Sequence, residues 1–248
     1  MNAARFAMTG AILALMLPLS CRSAAPPADA MPDMSEQAMS TVMGMDDRAA
    51  IGKVMLDQLE LEGGSGGTAL AWDGQAWYGT DYDKVWVKTE GSPNAADRDA
   101  SSNELLWDHV LTRWWDLQTG ARYDLGDGPA RGWAAVGVQG LAPYWFDVEA
   151  TLYLGEAGRA AARFKVEHDL LITQRLIVQP EIETNLYSKS DAAREVSSGL
   201  SDMQLGLRVR YEIRRELAPY AGVAWRRTPG AGQDTHSLLW VAGFHVWF

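Results

Sequence analysis

The C-terminal stretch Ser237-Leu238-Leu239-Trp240-Val241-Ala242-Gly243-Phe244-His245-Val246-Trp247-Phe248 decides how the rest of the chain is read. Side chains of a β-strand point alternately to its two faces. Leu238, Trp240, Ala242, Phe244, Val246 and Phe248 therefore share one face, large and apolar, while Gly243 and His245 fall on the other. The same division recurs upstream. Leu205, Leu207, Val209, Tyr211 and Ile213 alternate with Gln204, Gly206, Arg208, Arg210 and Glu212. Phe164, Val166 and Leu170 alternate with Arg163, Lys165, Glu167 and Asp169, and Val148, Ala150, Leu152 and Leu154 with Asp147, Glu149, Thr151 and Tyr153.

From residue 51 onward this pattern fills segments of roughly 10 to 13 residues separated by polar or glycine-containing turns. Strands of a soluble sandwich are shorter, typically about 5 to 6 residues. A tilted strand of about 9 to 11 residues crosses a bilayer, and a sheet in lipid must close on itself so that no backbone edge is left unpaired. The expected fold is all-β, an antiparallel transmembrane β-barrel of about 12 strands, an even number as bacterial barrels favour. The strands are expected near 51–62, 68–79, 83–91, 101–111, 113–124, 130–142, 145–156, 159–172, 175–188, 200–214, 217–228 and 237–248. Gly126-Asp127-Gly128-Pro129, Gly155-Glu156-Ala157-Gly158 and Pro229-Gly230-Ala231-Gly232 read as turns, and 91–102 and 189–199 as the long outer loops.

Composition agrees with a lipid partner. Eleven Trp and eight Tyr against five Phe favour rings that settle where an apolar slab meets water. A net charge of −10 makes nucleic acid an unsuitable partner, because phosphate backbones are held by Lys and Arg. The mean hydropathy of −0.18 is too polar for a bundle of membrane helices but ordinary for a barrel whose strands are half polar. Cys21 is the only cysteine, so no intramolecular disulfide is expected.

Residues 1–30 read as a signal peptide. Arg5 precedes the apolar run Phe6–Leu19, which is too short for a spanning helix, and Ala28-Asp29-Ala30 offers a small-x-small cleavage site. Leu19-Ser20-Cys21 raises lipidation as an alternative, against which Pro18 stands where an aliphatic residue is usual. Residues 31–50 form a tail expected to be disordered, with Met31, Met34, Met39, Met43 and Met45 among small, polar and acidic residues and no aromatic. Thioethers are soft ligands suited to Cu(I), and Met31-x-x-Met34 and Met43-x-Met45 bring sulfurs within reach of one ion. Two readings stand: copper capture, or a low-complexity spacer in which methionine has no ligand role.

If the polar face lines the lumen, it carries Asp147, Glu149, Arg163, Lys165, Glu167, Asp169, Arg175, Glu181, Glu183, Arg208, Arg210, Glu212 and Arg226. Mixed signs suit a paired lattice bracing the wall, since an unpaired charge in a partly dehydrated lumen is costly; a lumenal cation path is the other reading. Of the four histidines, His245 has lumenal parity and is the candidate metal ligand of the barrel. His109 and His168 share the parity of apolar neighbours, and His236 sits at a turn edge. Scarce histidine and the lack of a nucleophile with an adjacent base argue against an enzyme.

Several stretches, taken in order, carry a family likeness: Asp57-Gln58-Leu59-Glu60, Gly79-Thr80-Asp81-Tyr82-Asp83-Lys84, Trp115 to Asp124 (WDLQTGARYD), Gly137 to Tyr144 (GVQGLAPY), Thr173 to Pro180 (TQRLIVQP), Gly199-Leu200-Ser201 and Leu207 to Tyr220 (LRVRYEIRRELAPY). With them the chain resembles the copper resistance protein B family over most of residues 51–248. The resemblance implies an outer-membrane barrel in copper tolerance or passage, with a copper ion as bound or transported ligand. It also implies periplasmic copper oxidases or copper carriers as partners and outer-membrane lipid around the wall, and it does not imply an enzyme. A terminal aromatic such as Phe248 is the feature that barrel-assembly machinery favours. Family tails are rich in both Met and His, whereas this tail lacks histidine, which favours Cu(I) over Cu(II). The expected location is the outer membrane with the tail in the periplasm. The alternative is a small-solute channel or structural barrel without metal specificity.

Overall fold

A computed structural model describes residues 49–64, 67–92, 101–126, 128–194, 196–229 and 234–248. The signal-peptide reading, Cys21 and the five tail methionines Met31, Met34, Met39, Met43 and Met45 lie outside the described residues, as do most of the expected 91–102 loop and the Gly230–Gly232 part of one turn.

The strands are β1 (Ile51–Gly64), β2 (Gly67–Gly79), β3 (Asp83–Gly91), β4 (Ser101–Val110), β5 (Trp115–Leu125), β6 (Arg131–Ala142), β7 (Phe146–Gly155), β8 (Arg159–His168), β9 (Leu170–Leu171), β10 (Leu176–Tyr187), β11 (Gly199–Tyr211), β12 (Leu217–Pro229) and β13 (Asp234–Trp247). The two-residue β9 continues β8 past Asp169 and pairs with β10, so the wall has 12 staves, as expected. Each stave pairs antiparallel with its sequence neighbour, β10 pairs with both β8 and β11, and β13 returns to β1 with Met55 opposite Trp247 and Gly63 opposite Trp240. Closure leaves no edge strand, the condition for a sheet in lipid.

Alternation sorts the side chains as the pattern requires. Leu105, Leu152, Leu154, Leu207, Val223, Leu238 and Trp240 point outward and are exposed. Their chain neighbours Glu104, Tyr153, Arg208, Ala224 and Leu239 point inward and are buried. Both ends of the barrel strand set, Ile51 and Trp247, lie at one rim, together with the short connections around Thr80–Tyr82, Leu111–Trp114 and Pro143–Trp145. Exposed aromatics crowd this rim: Tyr78, Tyr82, Trp107, Trp114, Tyr144 and Phe248 among them. Trp114 meets Trp145 edge-on at 6.3 Å between ring centroids. Amphipathic rings at such a boundary anchor a barrel at headgroup level. The turn that carries Trp145 holds both Tyr144 (φ 67°) and Trp145 (φ 65°) in the left-handed region. Such a conformation is costly for bulky residues, and the solvent-facing turn leaves both rings exposed.

The opposite rim carries the longer connections. Among the described residues of the connection between β10 and β11, Asp191 pairs with Arg131 at 2.9 Å and with Arg159 at 3.4 Å. Arg194 donates to the backbone oxygen of Pro129 at 2.9 Å, and Val196 is buried. Burial alone would push the Asp191 carboxyl up, but the Arg131 hydrogen bond and the Arg131 and Arg159 charges win and hold it below its usual value. A depressed carboxyl contributes stability at every pH above the ordinary carboxylate range, and loses it only as pH falls through the lowered value. The loop should therefore stay clamped at neutral and mildly acidic pH. Asp191→Asn is expected to speed amide hydrogen exchange in residues 188–198 at neutral pH with little effect on the strands; equal exchange in both proteins would show that the clamp does not hold the loop.

Candidate functional site

The lumen is filled by charge. Its organising feature is a β-bulge in β1: the register against β2 shifts between Leu56 and Gln58, and that against β13 between Leu56 and Leu59. The extra residue lets Asp57 and Gln58 both reach inward contacts. Asp57 takes a hydrogen bond from Gln75, and Gln58 donates to Glu181 at 2.9 Å.

Arg208 on β11 stands between Glu181 of the neighbouring strand β10 and Glu60 of β1, reached across the closed wall. Its guanidinium donates to Glu60 at 3.0 and 3.1 Å, to Glu181 at 3.0 Å and to Gln58 at 3.0 Å, with the residue only 1% exposed. Two glycines make the space. A Cβ at Gly243 would fall 2.8 Å from the Cα and Cβ of Glu60, and one at Gly206 would fall 2.9 Å from an Arg208 nitrogen. Around this triad Arg226 pairs with Glu62 at 3.2 Å, Lys165 with Glu167 at 2.9 Å and Asp73 at 3.1 Å, and Arg163 with Glu183 at 3.1 Å and with Glu90. Lys88 spans toward the other wall, donating to Glu149 at 2.8 Å, Gln118 at 3.0 Å and Gln139 at 3.1 Å. Charge-assisted bonds of this kind compensate the desolvation that an enclosed lumen imposes.

Among the described residues, cavities of about 150 Å³ and about 80 Å³ lie within the lattice and share the walls formed by Asp73, Glu90, Ser102 and Lys165. The larger reaches toward the loop rim at Val196, and the smaller toward the terminus rim at Gln139, Asp147 and Glu149. Carboxylates outnumber cations on both walls. Aromatic and aliphatic side chains, including Trp86, Leu106, Trp133 and Tyr153, pack among the charges.

His245 faces inward, as its parity requires, at the terminus rim. Its Nδ1 lies 3.3 Å from the backbone oxygen of Asp57 and 3.6 Å from the Asp57 carboxylate. His109 contacts Asp83 at 2.8 Å and stacks on Trp107, while His168 stacks on Phe146 and lies 3.0 Å from the backbone oxygen of Trp145. Both lie on the outward side near the terminus rim, with the parity of their apolar neighbours, and His236 is exposed. Among the described residues no three His, Cys, Asp or Glu side chains converge in the manner of a closed metal site.

Two members of the expected lumenal set stand elsewhere. Arg175 is exposed in the turn before β10, and Glu212 is past the end of β11, its backbone N–H donating to the oxygen of Arg175. The alternation by which they were placed had stopped, because the strands end there. Conversely, the lumen also holds charges of β1 to β5 that the expected set lacks, among them Glu60, Glu62, Asp73, Lys88, Glu90, Glu104, Asp108, Arg122 and Asp124. The signal was present, for Glu60 and Glu62 alternate with Leu59 and Leu61.

The family model described as "Copper resistance protein B precursor (CopB)" matches residues 50–248. Copper resistance protein B of Escherichia coli is 43% identical over 203 residues, spanning 79% of this chain and 69% of that protein. A copper resistance protein B homolog of Pseudomonas syringae pv. tomato is 40% identical over 200 residues, spanning 77% of this chain and 68% of that one. Among solved structures, the NanC porin matches over 79% of this chain and 99% of its own at 10% identity and a TM-score of 0.45. The KdgM porin matches over 81% and 99% at 9% identity and a TM-score of 0.44. Nothing about solutes follows from likenesses so distant. The two relatives at 40% identity or above, and a family pattern that runs from the start of β1 to Phe248, place the chain in the copper resistance protein B family.

Proposed function

We propose that the chain is an outer-membrane copper resistance barrel that binds copper ions and sequesters them or passes them across the membrane. Met31, Met34, Met39, Met43 and Met45 capture the ion as Cu(I), and His245 serves as a ligand at the barrel mouth. The observation that carries this reading is the lumen: it is crossed by paired charges with carboxylate-rich cavities between them, so an ion inside would be held and handed on by side chains. The apolar outward wall with its aromatic rim supports the outer membrane as location. Bacterial barrels keep their short turns on the periplasmic side, so the tail, which precedes β1 at the short-turn rim, lies in the periplasm on this reading. There it can meet a periplasmic copper oxidase or copper carrier. Phe248 would be the signal read by barrel-assembly machinery.

Copper stoichiometry of the detergent-purified mature protein under reducing conditions tests the capture step. Changing all five tail methionines to leucine is expected to abolish most bound Cu(I). Retention of copper would move capture into the barrel, with His245→Ala examined next. Absence of copper from both proteins would favour a barrel without metal specificity.

A further inference from the structure

Glu104 is buried, 4% exposed, and half of its carboxylate has no partner. Oε1 accepts a hydrogen bond from the Tyr153 hydroxyl at 2.7 Å, and Oε2 accepts none. The register makes this unexpected. Glu104 lies directly opposite Lys88 on β3 and opposite Arg122 on β5, a cation on either side. Both cations are committed elsewhere. Lys88 reaches Glu149, Gln118 and Gln139, and Arg122 pairs with Asp124 at 2.6 Å while its guanidinium lies 4.7 Å from the Tyr153 ring centroid. Leaving a carboxylate between two cations that both turn away is costly unless something else meets its charge.

Glu104 borders the smaller cavity, of about 80 Å³, where carboxylates outnumber cations six to three. That volume admits a small ion with a few waters. The wall offers carboxylate, hydroxyl and amide oxygens from Ser102, Thr89, Gln139 and the acidic side chains, and no thioether, thiol or imidazole. Such donors suit hard or borderline divalent cations rather than Cu(I).

We infer that the cavity beside Glu104 is a transient subsite for a small hydrated divalent cation, with Glu104 Oε2 as its one direct protein ligand. Tyr153 fixes the carboxylate rotamer through the other oxygen, and the surrounding acids meet the ion through its waters. A single direct ligand keeps the ion exchangeable, as a passage requires. The inference extends the copper reading to a second, oxygen-only station and fails separately from it, because the tail is read with Cu(I) and this site with Mn(II).

The test is Mn(II) binding to the full, detergent-purified protein, followed by loss of the free-ion electron paramagnetic resonance signal. Wild type and the quintuple methionine variant are expected to bind Mn(II) alike. Glu104→Gln should weaken binding by about tenfold or more, with Glu104→Asp in between. Anomalous scattering from Mn(II)-soaked wild-type crystals gives an answer that does not depend on any variant folding, and the ion is expected beside Glu104. Unchanged binding by Glu104→Gln, or a lumen with no Mn(II) at Glu104, overturns the inference and leaves a bound water as the partner of Oε2.

Discussion

Arg208→Met is expected to destabilise the barrel by about 3–5 kcal/mol, the range found when one partner of a buried ion pair is removed. Methionine preserves much of the side-chain length and could fill the space beside Gly206. Packing therefore contributes little to the loss. What remains is Glu60 and Glu181, each 2% exposed or less, facing one another's surroundings without the cation that joined them. Adding Glu60→Gln and Glu181→Gln to Arg208→Met should recover most of the loss, since the neutral amides no longer need a counter-charge. Urea unfolding of the barrel in lipid vesicles reads both effects. If the single variant unfolds at the urea concentration of the wild type, the triad is bathed in water and the lumen is open at this level, which would favour a plain channel.

The residue before Arg208 gives the complementary result. Leu207 lies on the outward face of β11 with Leu205 and Val209 on either side, and is 45% exposed. Leu207→Arg places on the outer wall the side chain that is native one position along the chain. In a bilayer the exchange is expected to cost about 2–4 kcal/mol, falling off for substitutions nearer the rims. In water the same change at an exposed strand position would be nearly neutral. Folding free energies measured in vesicles separate the two cases, and an indifferent Leu207→Arg would sink the membrane reading. The pair of variants is a direct test of period-two geometry: arginine at 208 is required, and at 207 is excluded.

Most of the wall was legible in the sequence because the side-chain period of a strand is set by local backbone geometry. An outward face in lipid tolerates no charge, and that environment writes itself into Leu205, Leu207 and Val209, or Leu238, Trp240 and Phe244, regardless of what lies across the barrel. Antiparallel closure followed from the same local pattern, since short turns join neighbours and lipid forbids an edge. The inward parity of His245 and the outward parity of His109 and His168 followed too.

The sequence by itself thus determined the fold class, the number of staves, the face taken by side chains within the regular stretches of strand, and through its motifs the family. Only the tertiary structure decided which charges meet. Glu60 and Arg208 are separated by 148 positions, and Glu62 and Arg226 by 164. Their pairing depends on closure and on the bulge at Asp57 and Gln58, a single extra residue that no alternation count detects. It also decided that Arg175 leaves the lumen, and that Glu104, set by register between Lys88 and Arg122, is paired with neither. Parity along a strand is a property of one chain segment, whereas an ion pair across a barrel depends on the distance and competition among many side chains at once.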